Sequence, residues 1–516
     1  MLNGNGNIIV GDKNNVQGNQ NLIHQGSNNN INGSSNTIEI GNGNNISGAS
    51  NYLYGINNQI IGGTNGVNGS NNFIDNGNGN ILIGDKNHVS GNLNGINGTS
   101  NQVNGSNNYI QYGDNNTIIG GSNGVAGNGN IIAGLQNIIQ GQLNQVYGQS
   151  NGIMGDQNLV AGQYNQVIGN LNQIQGNQNI GVGNSNYGNG SNNQFNGNSN
   201  TMIGNSNVLK GDQNVAIGNG NAAGGNLNFL YGNGNGASGI SNILIGNANN
   251  AYGNGNYLNG ANNVFAGNYN AVAGQGNLGI GSYNQISGNT NYAVGNQNAI
   301  QGTQNQVKGN LNQVYGNGNI GVVDYSKIAG SGNLAQGSNL FINGNNNGLS
   351  GYYSAVTGSN NQVSGVANQV KGDSNFVNGY QDYVLGSQNT VVGGGSNAVL
   401  GNQNLVNGSA NLVYGQSNAV GGVQNKVIGY YNQAAGNGNL AIGIANKIQG
   451  DANSAIGNGN QINGGYNNAQ GNNNGITGIG NTVGGNGNGI AGNVNQVSGN
   501  ANIVVGSFNN ANGNRN

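Results

Sequence analysis

Residues 127–175 read GNGNIIA GLQNIIQ GQLNQVY GQSNGIM GDQNLVA GQYNQVI GNLNQIQ, a run of one seven-residue unit with no slip between copies. The unit is Gly-x-x-Asn-x-Φ-x. Asn130, Asn137 and Asn144 take its fourth place, and Ile132, Ile139, Val146, Ile153, Val160, Val167 and Ile174 its sixth. Working outward in both directions, glycine or its slot keeps this register from Gly4 to Gly513. Composition alone, with 106 glycines in 516 residues, no proline and 4% charge, would class the chain as disordered. Disorder places no demand on where a glycine or an isoleucine falls, so the periodicity decides, and it predicts a repeat fold.

Asn-x-Φ-x alternates with period two, as a half-buried strand does, and Gly-x-x rich in Asn, Ser, Gln and Asp suits a turn in which glycine takes φ > 0. A four-residue strand survives only by pairing with its equivalents in the coils above and below. The expected fold is therefore all-β, a parallel β-solenoid or β-roll of seven-residue strand-turn units. Asparagine at a fixed place would stack as a ladder of side-chain amides. At the sixth place Ala223, Leu230, Ala237, Leu244, Ala251 and Leu258 alternate small and large, as do Ala441, Ile448, Ala455, Ile462, Ala469 and Ile476. That alternation predicts two units, 14 residues, per coil. Triangular coils of three units remain open where Φ is uniform, as in 127–175.

The expected domain organisation is one continuous solenoid over residues 4–513 with an irregular segment at 323–385 and no separate capping domains. Units one residue longer occur at 18–25, 33–40, 69–76 and 105–112 and at Gly393-Gly394-Gly395. Three of them begin 36 residues apart, at Gly33, Gly69 and Gly105, which suggests a recurring bulge. In the irregular segment Val323 takes a glycine slot, while Ser326, Leu340, Ser354 and Asp382 take asparagine slots. A docking site or hinge and neutral drift are the two readings, and drift is preferred.

Units such as Asn214-Val215-Ala216-Ile217-Gly218, Asn291-Tyr292-Ala293-Val294-Gly295, Asn439-Leu440-Ala441-Ile442-Gly443 and Asn453-Ser454-Ala455-Ile456-Gly457 resemble the short repeats of the YadA-like heads of trimeric autotransporter adhesins. The resemblance implies a left-handed parallel β-roll that trimerises and presents a surface for adhesion.

No catalytic, cofactor or metal constellation emerges, so no site residues are assigned and the chain is expected not to be an enzyme. His24 and His88 are the only histidines, Glu39 is the sole glutamate and there is no cysteine. Asp12, Asp85, Asp114, Asp156, Asp212, Asp373 and Asp451 follow the unit glycine, one in many coils; Asx-type turns explain them better than calcium does. Nine Lys and Arg, scattered, and a net charge of −2 argue against nucleic acid as a partner. No stretch approaches the ~20 apolar residues of a membrane span, and MLNGNGNIIV shows no signal peptide.

Tyr52, Tyr54, Tyr109, Tyr147, Tyr231, Tyr252, Tyr315 and Tyr414 fall at the fifth or seventh place, which the pleat turns outward. Where Φ is small, as in Ile180-Gly181-Val182 and Leu278-Gly279-Ile280, bulky residues flank it on the outer side. The repeat starts beside Met1 and stops beside Asn516 without a polar cap. Together these features predict a structural protein whose partner is itself, assembling end to end and laterally into a fibre, extracellular or at the cell surface. A glycan-binding or adhesive surface module is the alternative. An ice-binding solenoid is less favoured, since Thr37, Thr64, Thr99 and Thr117 form no aligned row.

Overall fold

A computed structural model describes residues 1–515. They form an all-β parallel solenoid; no helix occurs among the described residues, so none is long and apolar enough to cross a membrane. Residues 1–256 and 257–516 make two compact units, built alike.

Within each unit, short strands alternate between two parallel sheets, and each strand pairs with the strand two units further on. In the first unit Val146 lies opposite Val160 in one sheet and Ile139 opposite Ile153 in the other. In the second, Val314 lies opposite Ile328 and Val307 opposite Gly321. The coil is therefore 14 residues throughout the stretch 127–175 as well, and the triangular alternative does not occur there. Uniform Φ residues meet across the two sheets as readily as alternating ones, because what must stay constant is the summed volume of each facing pair. Where sizes alternate, Ala223, Ala237 and Ala251 line one sheet and Leu230 and Leu244 the other.

The sixth-place residues make up the apolar core, joined by Val323 and Leu340 from other places, and Ile132, Val146 and Val160 are fully buried. Fourth-place asparagines are buried just as deeply, so half of the inward side chains are polar.

Glycine is favoured at most first places for two reasons. Its φ is left-handed, for example 131° at Gly148, and a Cβ there would sit 1.8 Å from the carbonyl oxygen of Gly162 in the next coil. The third place carries a second left-handed residue that the sequence does not advertise: Leu143, Tyr164 and Val494 have φ of 57°, 59° and 57°. Each still donates its N–H to the preceding coil, as Leu143 does to Asn128 at 2.9 Å, so stacking holds a conformation that the residue type disfavours.

The longer units do not recur as a stacked bulge. Leu22–Gln25 and Thr37–Ile40 carry the extra residue in adjacent coils and pair in register, whereas a register shift marks Ile110/Tyr112 and another Asn378/Tyr380. The extra residue near Asp75 lies in the opposite sheet, because 36 residues is an odd number of units plus one residue and lands on alternate sides of the roll.

Val323 is a compensation rather than a lapse. Its side chain is buried, and a Cβ at Gly321 would meet its Cγ2 at 3.0 Å: the valine fills the space that glycine at the core position leaves.

Candidate functional site

Each regular asparagine joins three coils. Asn165 donates its backbone N–H and its Nδ2 to Asn151 Oδ1, both at 3.0 Å, and Nδ2 also reaches the Gly176 carbonyl at 2.8 Å. Its own Oδ1 accepts the N–H and Nδ2 of Asn179 at 3.0 and 2.9 Å. Every polar atom of the side chain is satisfied, which is why an amide can be buried at each half-coil. The ladder is structural and offers no group to a ligand.

The four asparagine replacements lie in one ladder of the second unit, running Asn312, Ser326, Leu340, Ser354, Asn368, Asp382, Asn397. Ser326 and Ser354 accept the next N–H through Oγ, from Leu340 at 3.0 Å and Asn368 at 3.1 Å, and donate back to the Asp324 and Tyr352 carbonyls of their own turns. Asp382 Oδ1 accepts from the Asn397 N–H and Nδ2, at 3.0 and 2.9 Å. Its Oδ2 occupies the place of an amide nitrogen and has no partner. Burial pushes this carboxyl above its ordinary value, opposed by the bonds from Asn397. Leu340 alone supplies no acceptor.

The aspartates after the unit glycine act between coils. Asp85, Asp114, Asp156, Asp212, Asp373 and Asp451 each accept, through Oδ1, the N–H of the residue one coil earlier; Ser70 to Asp85 is 2.6 Å and Gln142 to Asp156 is 2.7 Å. Asn and Ser at this place do the same, as Asn184 does for Asn170. The expected turn within one unit is thus replaced by a second, exposed ladder along the turns, because coil stacking brings the next side chain to each free N–H.

No group of three or more acidic, His or Cys side chains able to hold a metal ion occurs among the described residues. His24 Nδ1 meets Glu39 Oε2 at 2.6 Å across adjacent coils, and this hydrogen bond holds the Glu39 carboxyl below its ordinary range. His88, on the sheet opposite that of His24, packs edge-on against its own sheet neighbour Phe73. The two histidines are not brought together.

What remains for recognition is the pair of outward faces, formed by the fifth and seventh places. Tyr52, Tyr54, Tyr147, Tyr231, Tyr252, Tyr315 and Tyr414 stand on them, half exposed, with Ile81 and Ile138 more exposed still. On the second unit Tyr257 and Tyr315 bracket a shallow trough floored by Ala271, Ala299 and Gln285. Sequence reasoning missed the tyrosines of the turns: Tyr164, Tyr269, Tyr283, Tyr353, Tyr431 and Tyr466 occupy left-handed third places, and Tyr269 stacks on Tyr283 with centroids 5.2 Å apart. Counting places from the unit glycine would have found them.

Residues 69–169 and 373–450 match the family of the grass antifreeze beta roll. No curated protein matches the chain. The two matching stretches fall short of half its length, and an adhesin head is not what the comparison brings out. The chain is a structural β-solenoid repeat protein similar to an ice-binding roll. Its fold and the matching family are of structural and ice-binding kinds, not enzymatic ones.

Proposed function

We propose that the protein is a structural roll that associates with copies of itself through its outward faces, without catalysis. The observation that supports this best is the exposure of large apolar and aromatic side chains on the outward faces of each unit: Ile81, Tyr109, Ile138, Tyr231 and Tyr252 in the first and Leu334 and Tyr414 in the second are between 52% and 69% exposed. Large apolar side chains left exposed at this density mark interaction sites. A net charge of −2 leaves little repulsion between copies. Sedimentation and electron microscopy of the purified chain test the proposal: laterally paired or bundled rolls are expected, and monodisperse monomers at every concentration refute it.

Ice binding is the second reading, and the match to the grass antifreeze roll favours it. On the outer faces threonine is scattered, at Thr37, Thr117, Thr201, Thr357, Thr390, Thr477 and Thr482, between tyrosines and isoleucines. Inhibition of ice recrystallisation by the dissolved monomer would establish this reading in place of the first.

A further inference from the structure

One face of the first unit is corrugated. Along the sheet from Tyr52 to Ile168 the fifth-place residues run Tyr52, Gly66, Ile81, Gly95, Tyr109, Gly124, Ile138, Gly152, Gln166, and each is in register with the next. Bulky and absent side chains therefore alternate coil by coil. The seventh places reinforce the first half of this pattern: Tyr54, Asn68, Ile83 and Asn97, and past the register shift at Ile110/Tyr112 the pair Tyr112 and Ala126, put large residues beside the large and smaller ones beside the glycines. With coils ~4.8 Å apart, ridges and grooves both repeat every ~9.6 Å.

Three of the four grooves are open spaces. A Cβ added at Gly66, Gly124 or Gly152 would meet no heavy atom within 4 Å, while at Gly95 it would meet the edge of the Tyr109 ring, which leans over that groove. The ridges are Ile81 at 59%, Tyr109 at 58% and Ile138 at 69% exposure. No outward residue of this face between 52 and 168 is charged; the opposite sheet over the same span carries Asp75 and His88.

We infer that this face is the contact between two copies of the chain, the ridges of one seated in the grooves of the other. The inference rests on the self-association proposed above and names its site. Three features select a second copy as the occupant. The period of the knobs equals the period of the holes, so the surface is complementary to itself when displaced by one coil, ~4.8 Å. An isologous pair places the same patch on both sides, and an uncharged patch meets itself without like-charge repulsion. The face is about 40 Å long and about 12 Å wide, so pairing covers about 1,000 Å² in total, where specific interfaces begin. In its first half, ridges two residues broad also prevent a flat lattice from lying on this face, although from residue 69 onward it falls in a stretch that matches the antifreeze roll.

The test fills the grooves. In Gly66→Thr/Gly124→Thr/Gly152→Thr the backbone is not left-handed at any of the three sites, and a β-branched residue suits an open strand position, so the coil stays intact. Equilibrium sedimentation of the full chain is expected to show association at least about tenfold weaker with an unlowered melting temperature, a loss of about 1.4 kcal/mol. Ile81→Ser/Ile138→Ser, which shaves the ridges, is expected to weaken association likewise. Gly224→Thr, an equally open site on the same sheet beyond the corrugation, is expected to leave it unchanged. Wild-type association in either folded multiple variant, or equal weakening by Gly224→Thr, overturns this contact while self-association itself stands. A wild-type chain that never associates overturns both.

Discussion

Replacing Asn165 by alanine removes a single rung, and the structure sets the size of the effect. Two donated and two accepted side-chain bonds disappear. Some partners keep an alternative: Asn179 Nδ2 still donates to the Gly190 carbonyl, and Asn151 Oδ1 still accepts the residue 165 N–H. The Gly176 carbonyl and the Asn179 N–H lose the bonds the Asn165 side chain gave them. At about 1–3 kcal/mol for each buried unsatisfied group, the coil loses about 2–6 kcal/mol. Each coil touches only its neighbours, so the loss stays local and a global melt would average it away. Native-state amide exchange reads it directly: the strands Gln166–Ile168 and Ile180–Val182 should exchange about 30-fold faster or more, with distant coils unchanged. Gln166→Ala, which trims an outward side chain next door, should change exchange by no more than about twofold. Equal effects of the two substitutions would refute the claim that the buried amides hold the coils together.

Three further outcomes follow from particular residues. Because burial raises the Asp382 carboxyl, the folded chain binds that proton more tightly than the unfolded chain does. Stability therefore falls as pH rises from the ordinary carboxyl value of 3.8 through the raised one. Asp382→Asn should raise the local stability at neutral pH, with the gain shrinking as the solution is acidified; a gain independent of pH contradicts this. Gly148→Ala should cost at least about 2 kcal/mol, from left-handed strain before any collision with Gly162, whereas Gly124→Ala should cost nothing; thermal melts and local exchange separate them. Gly321→Val should overpack the core against Val323 by about 1–3 kcal/mol, and adding Val323→Gly, which restores the regular unit, should recover it in a double-mutant cycle.

The fold was legible because the inward places obey strict rules. Glycine at the first place, amide at the fourth and an aliphatic at the sixth are each imposed by contact with the next coil, and the alternation of Ala237 with Leu244 by itself implies the two-sheet coil. The compensation of Gly321 by Val323 was not legible: in one dimension it reads as a lost glycine, and only the pleat shows that both side chains share one space. The four ladder replacements looked like scattered drift because the sequence interleaves two ladders, and 14-residue stacking is needed to see Ser326, Leu340, Ser354 and Asp382 in one. The aspartates misled for the same reason, since their acceptor role joins residues one coil apart. The corrugated face was open to inspection all along, as Gly66, Gly95, Gly124 and Gly152 at every fourth unit. Its meaning depends on knowing that those units share a sheet.

The most direct measurement of the stacking itself uses a chain that has no cysteine of its own. Gln145 and Leu159 are paired outward neighbours in adjacent coils, a separation within the ~4.4–6.8 Å that a disulfide spans. Cysteines at 145 and 159 should form an intramolecular disulfide under mild oxidation, and cysteines at 145 and 166, which lie in opposite sheets, should not. Ready bridging of 145 with 166 but not with 159 would mean 21-residue coils and would contradict the roll described above.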